Sequence, residues 1–111
     1  MDNRDRTILK KVLAECEIVQ DLLAGFGKEA FLSDERTKRA VCMTLVNIGE
    51  LVKNLSSDLT STRRDIPWRG IAGMRDITAH KYQTLKMEDV YTTAVEDIPR
   101  LKGEIQEMTL E

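Results

Sequence analysis

Apolar residues recur along most of the chain at steps of three and four, which is the spacing of one face of an α-helix. The first such pattern runs from about Arg4 to Leu23 and stops before Gly25. A second begins after Ser33, a preferred helix N-cap residue, and continues to about Leu55. Apolar residues cover more than one face of this second helix. We therefore expect it to be the central helix of a bundle or to form part of a dimer interface.

A polar stretch, residues 56–65, is predicted to be a loop, and a third helix is predicted to begin at Pro67 and to reach the region of His80. At about 100° per residue, this helix has an apolar face and an opposite, polar face. The apolar face carries Pro67, Ile71, Met74 and Thr78, and the opposite face carries Arg69, Gly73, Asp76 and His80. Trp68 flanks the apolar face, and we expect it to be packed. A core-facing helix explains the first set of residues but not the second.

The fourth helix is predicted to start near Met87, and its apolar positions follow a regular bundle spacing. These positions are Tyr91, Ala94, Ile98, Leu101, Ile105 and Met108. Pro99 lies inside the pattern, so a kink is expected there. Strand-like alternation is missing from the sequence. The prediction is one all-α domain over residues 1–111, an up-and-down four-helix bundle with a kinked last helix.

Charge is unevenly distributed along the chain. The net charge is −2, but residues 63–86 contain six bases and two acids, so the remaining residues carry the excess of acid. An anion would be drawn to this region, although surface loops also collect charge by chance. Cys16 and Cys42 fall within apolar patterns, and we expect two buried thiols. Neither a signal sequence nor an apolar run long enough for a membrane helix is seen, which predicts a cytoplasmic protein without membrane contact.

The polar face of the third helix has the residues of a reactive site. Asp76 and His80 are spaced i, i+4, so in a helix the carboxylate could bond to the imidazole and fix its tautomer. Gly73 leaves backbone bare, so a phosphate or a second helix could come close. Arg75 and His80 converge only if the helix ends near His80 or if a second subunit completes the site. Glu50, on the second helix, points either towards Arg75 and His80 or towards Lys53 and Asn54, and the sequence leaves both open.

Residues 66–82, I-P-W-R-G-I-A-G-M-R-D-I-T-A-H-K-Y, resemble a known family. Arg75, His80 and Tyr82 match the R-x4-H-x-Y signature of HepT-like proteins in the HEPN superfamily. The N-I-G-E sequence of residues 47–50 lies at about the usual distance upstream. The resemblance covers nearly the whole chain. It departs from the common pattern at Asp76, where the superfamily often has asparagine after the arginine.

The resemblance implies a metal-independent endoribonuclease toxin that needs no cofactor and acts on RNA as a homodimer. Arg75 and His80 would be its catalytic residues, and the product would carry a 2′,3′-cyclic phosphate. Cleavage needs both a general base and a general acid, and the chain has one histidine, so two subunits would supply the pair.

The resemblance also implies a protein partner, a minimal nucleotidyltransferase of the MntA type that neutralises the toxin by transferring AMP to Tyr82. We expect the Tyr82 ring to be exposed for this purpose. The alternative function is a non-catalytic helical subunit that binds a nucleotidyltransferase or a nucleotide through the same cleft, the one that holds the Arg75 and His80 motif between two subunits.

Overall fold

The computed structural model describes residues 1–110, which form helices and connecting turns without a β-strand in that range. The helices are α1 (Asn3–Leu23), α2 (Lys28–Leu32), α3 (Glu35–Lys53), α4 (Ser57–Thr62), α5 (Trp68–Ala72), α6 (Ala79–Tyr82), α7 (Met87–Thr92) and α8 (Ile98–Thr109). A 3₁₀ turn, Gly73–Asp76, follows α5, and a π turn, Thr93–Asp97, joins α7 to α8. The all-α prediction is confirmed.

The bundle consists of α1, α3, the α7–α8 rod, and a fourth element made of α5 and the 3₁₀ turn. Helix α3 packs against α1 on one side and against α5 and the 3₁₀ turn on the other, and α1 also packs against α8. The innermost side chains come from α1, α2, α3 and α8, and include Leu9, Val12, Phe31, Ile48 and Ile105. Helix α3 is therefore the central helix, as its apolar surface predicted.

The start of α3 differs from the prediction by one residue. Its N-cap is Asp34, whose carboxylate accepts a hydrogen bond from the backbone N–H of Thr37, and not Ser33. Ser33 instead ends α2, where its hydroxyl donates to the carbonyl of Glu29. Two adjacent residues were both good caps, and the presence of a separate α2 decided which of them begins α3.

The predicted loop after α3 contains a helix, α4. Ser56 caps it by accepting from the N–H of Leu59, and both the N–H and the hydroxyl of Ser56 donate to the buried carboxylate of Asp5, at 2.9 and 2.5 Å. This contact joins the start of α1 to the start of α4. A partner about fifty residues away along the chain therefore stabilises a helix that is too short to persist alone.

The prediction of one continuous third helix is wrong. Helix α5 tightens into the 3₁₀ turn at Gly73, and Ile77 is extended, with φ −68° and ψ 106°. Thr78 then starts α6, because its hydroxyl accepts from the N–H of Lys81 at 3.2 Å. Periodicity placed Thr78 on the apolar helix face, whereas its hydroxyl caps α6. The helix break at this point separates Arg75 and Asp76 from His80.

The interruption expected at Pro99 takes the form of the π turn that precedes it. Pro99 lies at the start of α8, directly after the π turn, and its missing N–H removes one backbone hydrogen bond at this junction. The apolar positions remain in the core along the whole rod, with Val90 before the π turn, Ala94 within it and Ile98 after it. A single inserted residue in a helical turn thus preserves the seam across the proline.

Two further sequence predictions are confirmed. Trp68 is buried, as its packing role requires, and its Nε1–H is satisfied by donating to the carbonyl of Arg63. Cys16 and Cys42 are buried free thiols, and burial raises their pKa values to about 12 and about 11. No helix within residues 1–110 is both long and apolar enough to cross a bilayer.

Candidate functional site

The site begins with a close approach of two backbones. Gly49, buried in the middle of α3, faces the 3₁₀ turn, and a Cβ placed on it would lie 2.5 Å from the backbone nitrogen of Arg75. The same Cβ would lie 3.0 Å from the carbonyl oxygens of Ile71 and Ala72. Only glycine permits this packing, which brings the Arg75 backbone onto α3. The sequence signal was an isolated glycine inside an apolar helix, and its meaning was missed.

Glu50, the next residue, holds the Arg75 side chain. The Arg75 Nε–H donates to Oε2 of Glu50 at 2.7 Å. This hydrogen bond lowers the pKa of Glu50 and raises that of Arg75. Of the two orientations left open for Glu50, the structure has the one towards Arg75, while the Asn54 amide donates to the backbone carbonyl of Glu50.

The Asp76 carboxylate lies beside the Arg75 guanidinium and does not contact the His80 imidazole through a hydrogen bond. One Asp76 oxygen is 3.9 Å from Nη1 of Arg75, and no Asp76–His80 hydrogen bond occurs within residues 1–110. The predicted i, i+4 pair is therefore wrong, because the extended residue Ile77 removes the helical geometry that the pair needs. Two carboxylates now flank one guanidinium, and both are largely exposed.

The remaining residues of the predicted polar face are exposed but not brought into contact with Arg75. Arg69 is exposed on α5, and His80 is exposed on α6. A Cβ added at Gly73 would meet no atom of the chain within 4 Å, so the fold of one chain does not need glycine there. Arg75 and His80 lie on opposite sides of the break at Ile77, and each presents its side chain at the surface.

Tyr82 is tied to α3 through its hydroxyl. The hydroxyl donates to Oε2 of Glu35 at 2.9 Å, and the guanidinium of Arg39 lies 5.0 Å from the ring centroid. Burial, followed by the hydrogen bond to Glu35, raises the pKa of Tyr82 to about 12. The ring is half-buried against the core, so the prediction of an exposed ring is wrong. Glu35 and Arg39 were not identified from the sequence, because each looks like an ordinary surface charge.

An exposed apolar surface adjoins this region. Met43 on α3 is 58% exposed, and with Val46 it lines a shallow groove that continues across Ile77 and Ala79 to Tyr82. Single apolar side chains are commonly exposed on soluble proteins, so it is the continuity of Met43 with the apolar groove that makes this surface suited to contact with another molecule. The groove separates α3 from the segment that carries His80. Within the described residues, no three His, Cys, Asp or Glu side chains converge as metal ligands would.

The fold and this site define an all-α bundle of the HEPN type, with an arginine and a histidine presented on either side of a helix break. The chain belongs to the family described as Ribonuclease HepT-like, whose match covers residues 12–108. It is 34% identical over 103 residues to a protein of Caldanaerobacter subterraneus subsp. tengcongensis named "Putative RNase", covering 93% of this chain and 92% of that protein.

Archaeal relatives show the same full-length similarity. The chain is 32% identical over 108 residues to the "Probable ribonuclease HepT" of Thermococcus cleftensis, covering 97% of this chain and 98% of that protein. It is 31% identical over 103 residues to a protein of Methanocaldococcus jannaschii also named "Putative RNase", covering 93% of this chain and 85% of that protein. No solved structure matches the chain.

Proposed function

We propose that this protein is a metal-independent endoribonuclease and that Arg75 and His80 are its catalytic residues. The observation that carries the proposal is the Arg75 side chain, held at the surface by the Glu50 bond beside the break that separates it from His80. The family match and the relatives named as ribonucleases support the same substrate class.

The reaction needs two proton transfers. A general base removes the proton of a ribose 2′-hydroxyl, whose oxygen then bonds to the adjacent phosphorus, and the bond to the 5′-oxygen breaks as a general acid protonates it. The products are a 2′,3′-cyclic phosphate and a free 5′-hydroxyl. Arg75 stabilises the added negative charge on the phosphorane.

The active form in this proposal is a homodimer. The chain has one histidine, so His80 of one subunit acts as base and that of the second subunit acts as acid. The exposed Met43 and its groove beside α6 provide apolar surface close to His80 for the second subunit to cover. The open space around Gly73 leaves room for a close approach between subunits, with Arg69 as a further phosphate contact.

Neutralisation is proposed to occur at Tyr82 in a toxin–antitoxin pair. A minimal nucleotidyltransferase partner would direct the Tyr82 oxygen onto the α-phosphorus of ATP. A tyrosyl–AMP bond forms, pyrophosphate leaves and the phenolic proton is lost. An anionic group two residues from His80 would repel RNA. Mass spectrometry after incubation with such an enzyme, ATP and magnesium should place AMP on Tyr82 and none on Tyr91, whose ring packs against that of Phe31 at a tilt.

One observation favours the alternative of a non-catalytic subunit that binds a nucleotidyltransferase or a nucleotide. Glu50 and Asp76 both lie near Arg75 and reduce its attraction for a phosphate. In the catalytic proposal, the Glu50 bond orients the guanidinium, and an incoming phosphate takes the donors that face away from Glu50.

Cleavage of a labelled RNA in the presence of EDTA separates the two functions. We expect cleavage by the parent protein and a loss of at least about a hundredfold in His80→Ala, the range for general acid–base catalysis, and in Arg75→Ala, the range for lost electrostatic stabilisation. Arg36→Ala removes an exposed arginine from α3 that has no ion pair within residues 1–110, and it should cleave like the parent. Cleavage that EDTA abolishes, or that survives in His80→Ala, would contradict the mechanism. Complete inactivity with tight binding of a nucleotidyltransferase would support the alternative.

A further inference from the structure

Helix α6, which carries His80, has the weakest packing of the candidate site. It follows the extended residue Ile77, and it packs only sparsely against the other helices. Within this four-residue helix, Ala79, His80 and Lys81 are exposed, and Tyr82 is the half-buried residue. The position of His80 therefore depends heavily on how Tyr82 is held.

Tyr82 is held by residues of the first two turns of α3. Its hydroxyl donates to Oε2 of Glu35 at 2.9 Å, and its ring lies under the guanidinium of Arg39. The same carboxylate oxygen is 3.8 Å from Nε of Arg39 and 3.9 Å from Nζ of Lys38, so two cations keep it in place. Helix α3 is the central helix of the bundle, and its core residues are buried from Thr37 onwards. The anchor thus joins a sparsely packed segment to the best-packed one.

We propose that Glu35 is a positioning residue for His80, acting through the hydroxyl of Tyr82. Within α6, the N–H of Tyr82 donates to the carbonyl of Thr78 at 2.7 Å, so the short helix moves as one unit. Fixing Tyr82 therefore fixes His80 two residues earlier. The consequence for RNA cleavage rests on the proposed function, whereas the anchor itself does not.

The anchor also indicates how a group on the Tyr82 oxygen would act on His80. An AMP adduct replaces the hydroxyl proton, so the oxygen has nothing to donate to Glu35. The adduct also places a phosphodiester charge opposite the Glu35 carboxylate, and two like charges at this distance repel. Modification thereby converts the contact that holds α6 into one that releases it. His80 is then displaced, in addition to being blocked by the AMP group.

Nuclear magnetic resonance tests the anchor without any substrate, because His80 is the single histidine and gives one imidazole signal. We expect Glu35→Ala and Tyr82→Phe to move this signal towards the value of a short peptide. Hydrogen exchange at the Tyr82 N–H should accelerate about fivefold or more, the factor for one lost hydrogen bond. Glu35→Gln keeps an acceptor oxygen and should restore most of the parental behaviour.

One control and one further test variant separate the anchor from general effects. Glu88→Ala removes an acid from the first turn of α7, which matches Glu35 in its helix-dipole effect but forms no hydrogen bond with a tyrosine within residues 1–110. It should leave the His80 signal and the Tyr82 exchange unchanged. Tyr82→Phe leaves the start of α3 intact, so it tests the anchor even if Glu35→Ala weakens that helix.

Kinetics then connect the anchor to catalysis. Glu35→Ala and Tyr82→Phe should each lower kcat severalfold with little change in KM, and the double variant should lose no more than the stronger single variant. Parental His80 signals and exchange rates in both variants would overturn the anchor. Displaced His80 signals with no RNA cleavage by the parent would leave the anchor in place and refute the proposed ribonuclease function.

Discussion

Replacing Gly49 by alanine tests whether the approach of two backbones creates the site. The new Cβ would lie 2.5 Å from the Arg75 nitrogen, while ordinary contacts of this kind lie at 3.4–4 Å. The end of α5 and the 3₁₀ turn must therefore move away from α3 by about 1 Å. The atoms in the way are backbone atoms of Ile71, Ala72 and Arg75, so no side-chain rotation relieves the overlap.

Two opposing effects determine the stability of Gly49→Ala. Alanine is favoured over glycine inside a helix by about 1 kcal/mol. Overpacking a tight contact costs about 1–3 kcal/mol. The overlap here is severe and involves backbone, so we expect the cost to prevail and the free energy of unfolding to fall by about 1–2 kcal/mol. Because the shift also stretches the 2.7 Å bond between Glu50 and Arg75, RNA cleavage should fall at least tenfold.

Gly103→Ala is the matched control for this substitution. Gly103 lies inside α8, and a Cβ added there meets no atom within 4 Å, so alanine should raise the free energy of unfolding by about 0.5–1 kcal/mol. Denaturation in urea gives both stabilities, and cleavage of a labelled RNA gives the activity. If Gly49→Ala proved as stable as Gly103→Ala and fully active, the close approach would have no part in forming the site.

Three further predictions address other parts of the structure. Asp76→Asn should keep cleavage within about tenfold of the parent, because the carboxylate lies 3.9 Å from Arg75 and makes no bond to His80. A larger loss in a kinetic assay with excess RNA would contradict this reasoning. Cys16 and Cys42 should react very slowly with a thiol reagent at pH 8 in the folded protein and rapidly in guanidinium, because burial raises their pKa values to about 12 and about 11. Fast labelling of the folded chain would contradict that burial. Ser56→Ala should lower the free energy of unfolding by about 1–3 kcal/mol, because the Asp5 carboxylate loses one of its two bonds while buried, and urea denaturation measures the change.

The sequence by itself determined the helical class, the long helices and the motif residues. Helical periodicity is a local property, so α1 and α3 were predicted to within about two residues at each end. The burial of Trp68 and of the cysteines also followed from local pattern, because a side chain on an apolar face has only the core to contact. Arg75, His80 and Tyr82 were identified through their spacing, which again is local information.

Tertiary structure decided how those residues are arranged. The capping hydroxyl of Thr78 competed with helix continuation, and the outcome removed the expected contact between Asp76 and His80. The remaining decisions join positions far apart in the chain. Gly49 admits the Arg75 backbone, Glu50 binds its guanidinium across 25 residues, and Glu35 binds the Tyr82 hydroxyl across 47. A periodic pattern shows which face of a helix is apolar, but the partner of an exposed acid depends on which helices the core brings side by side.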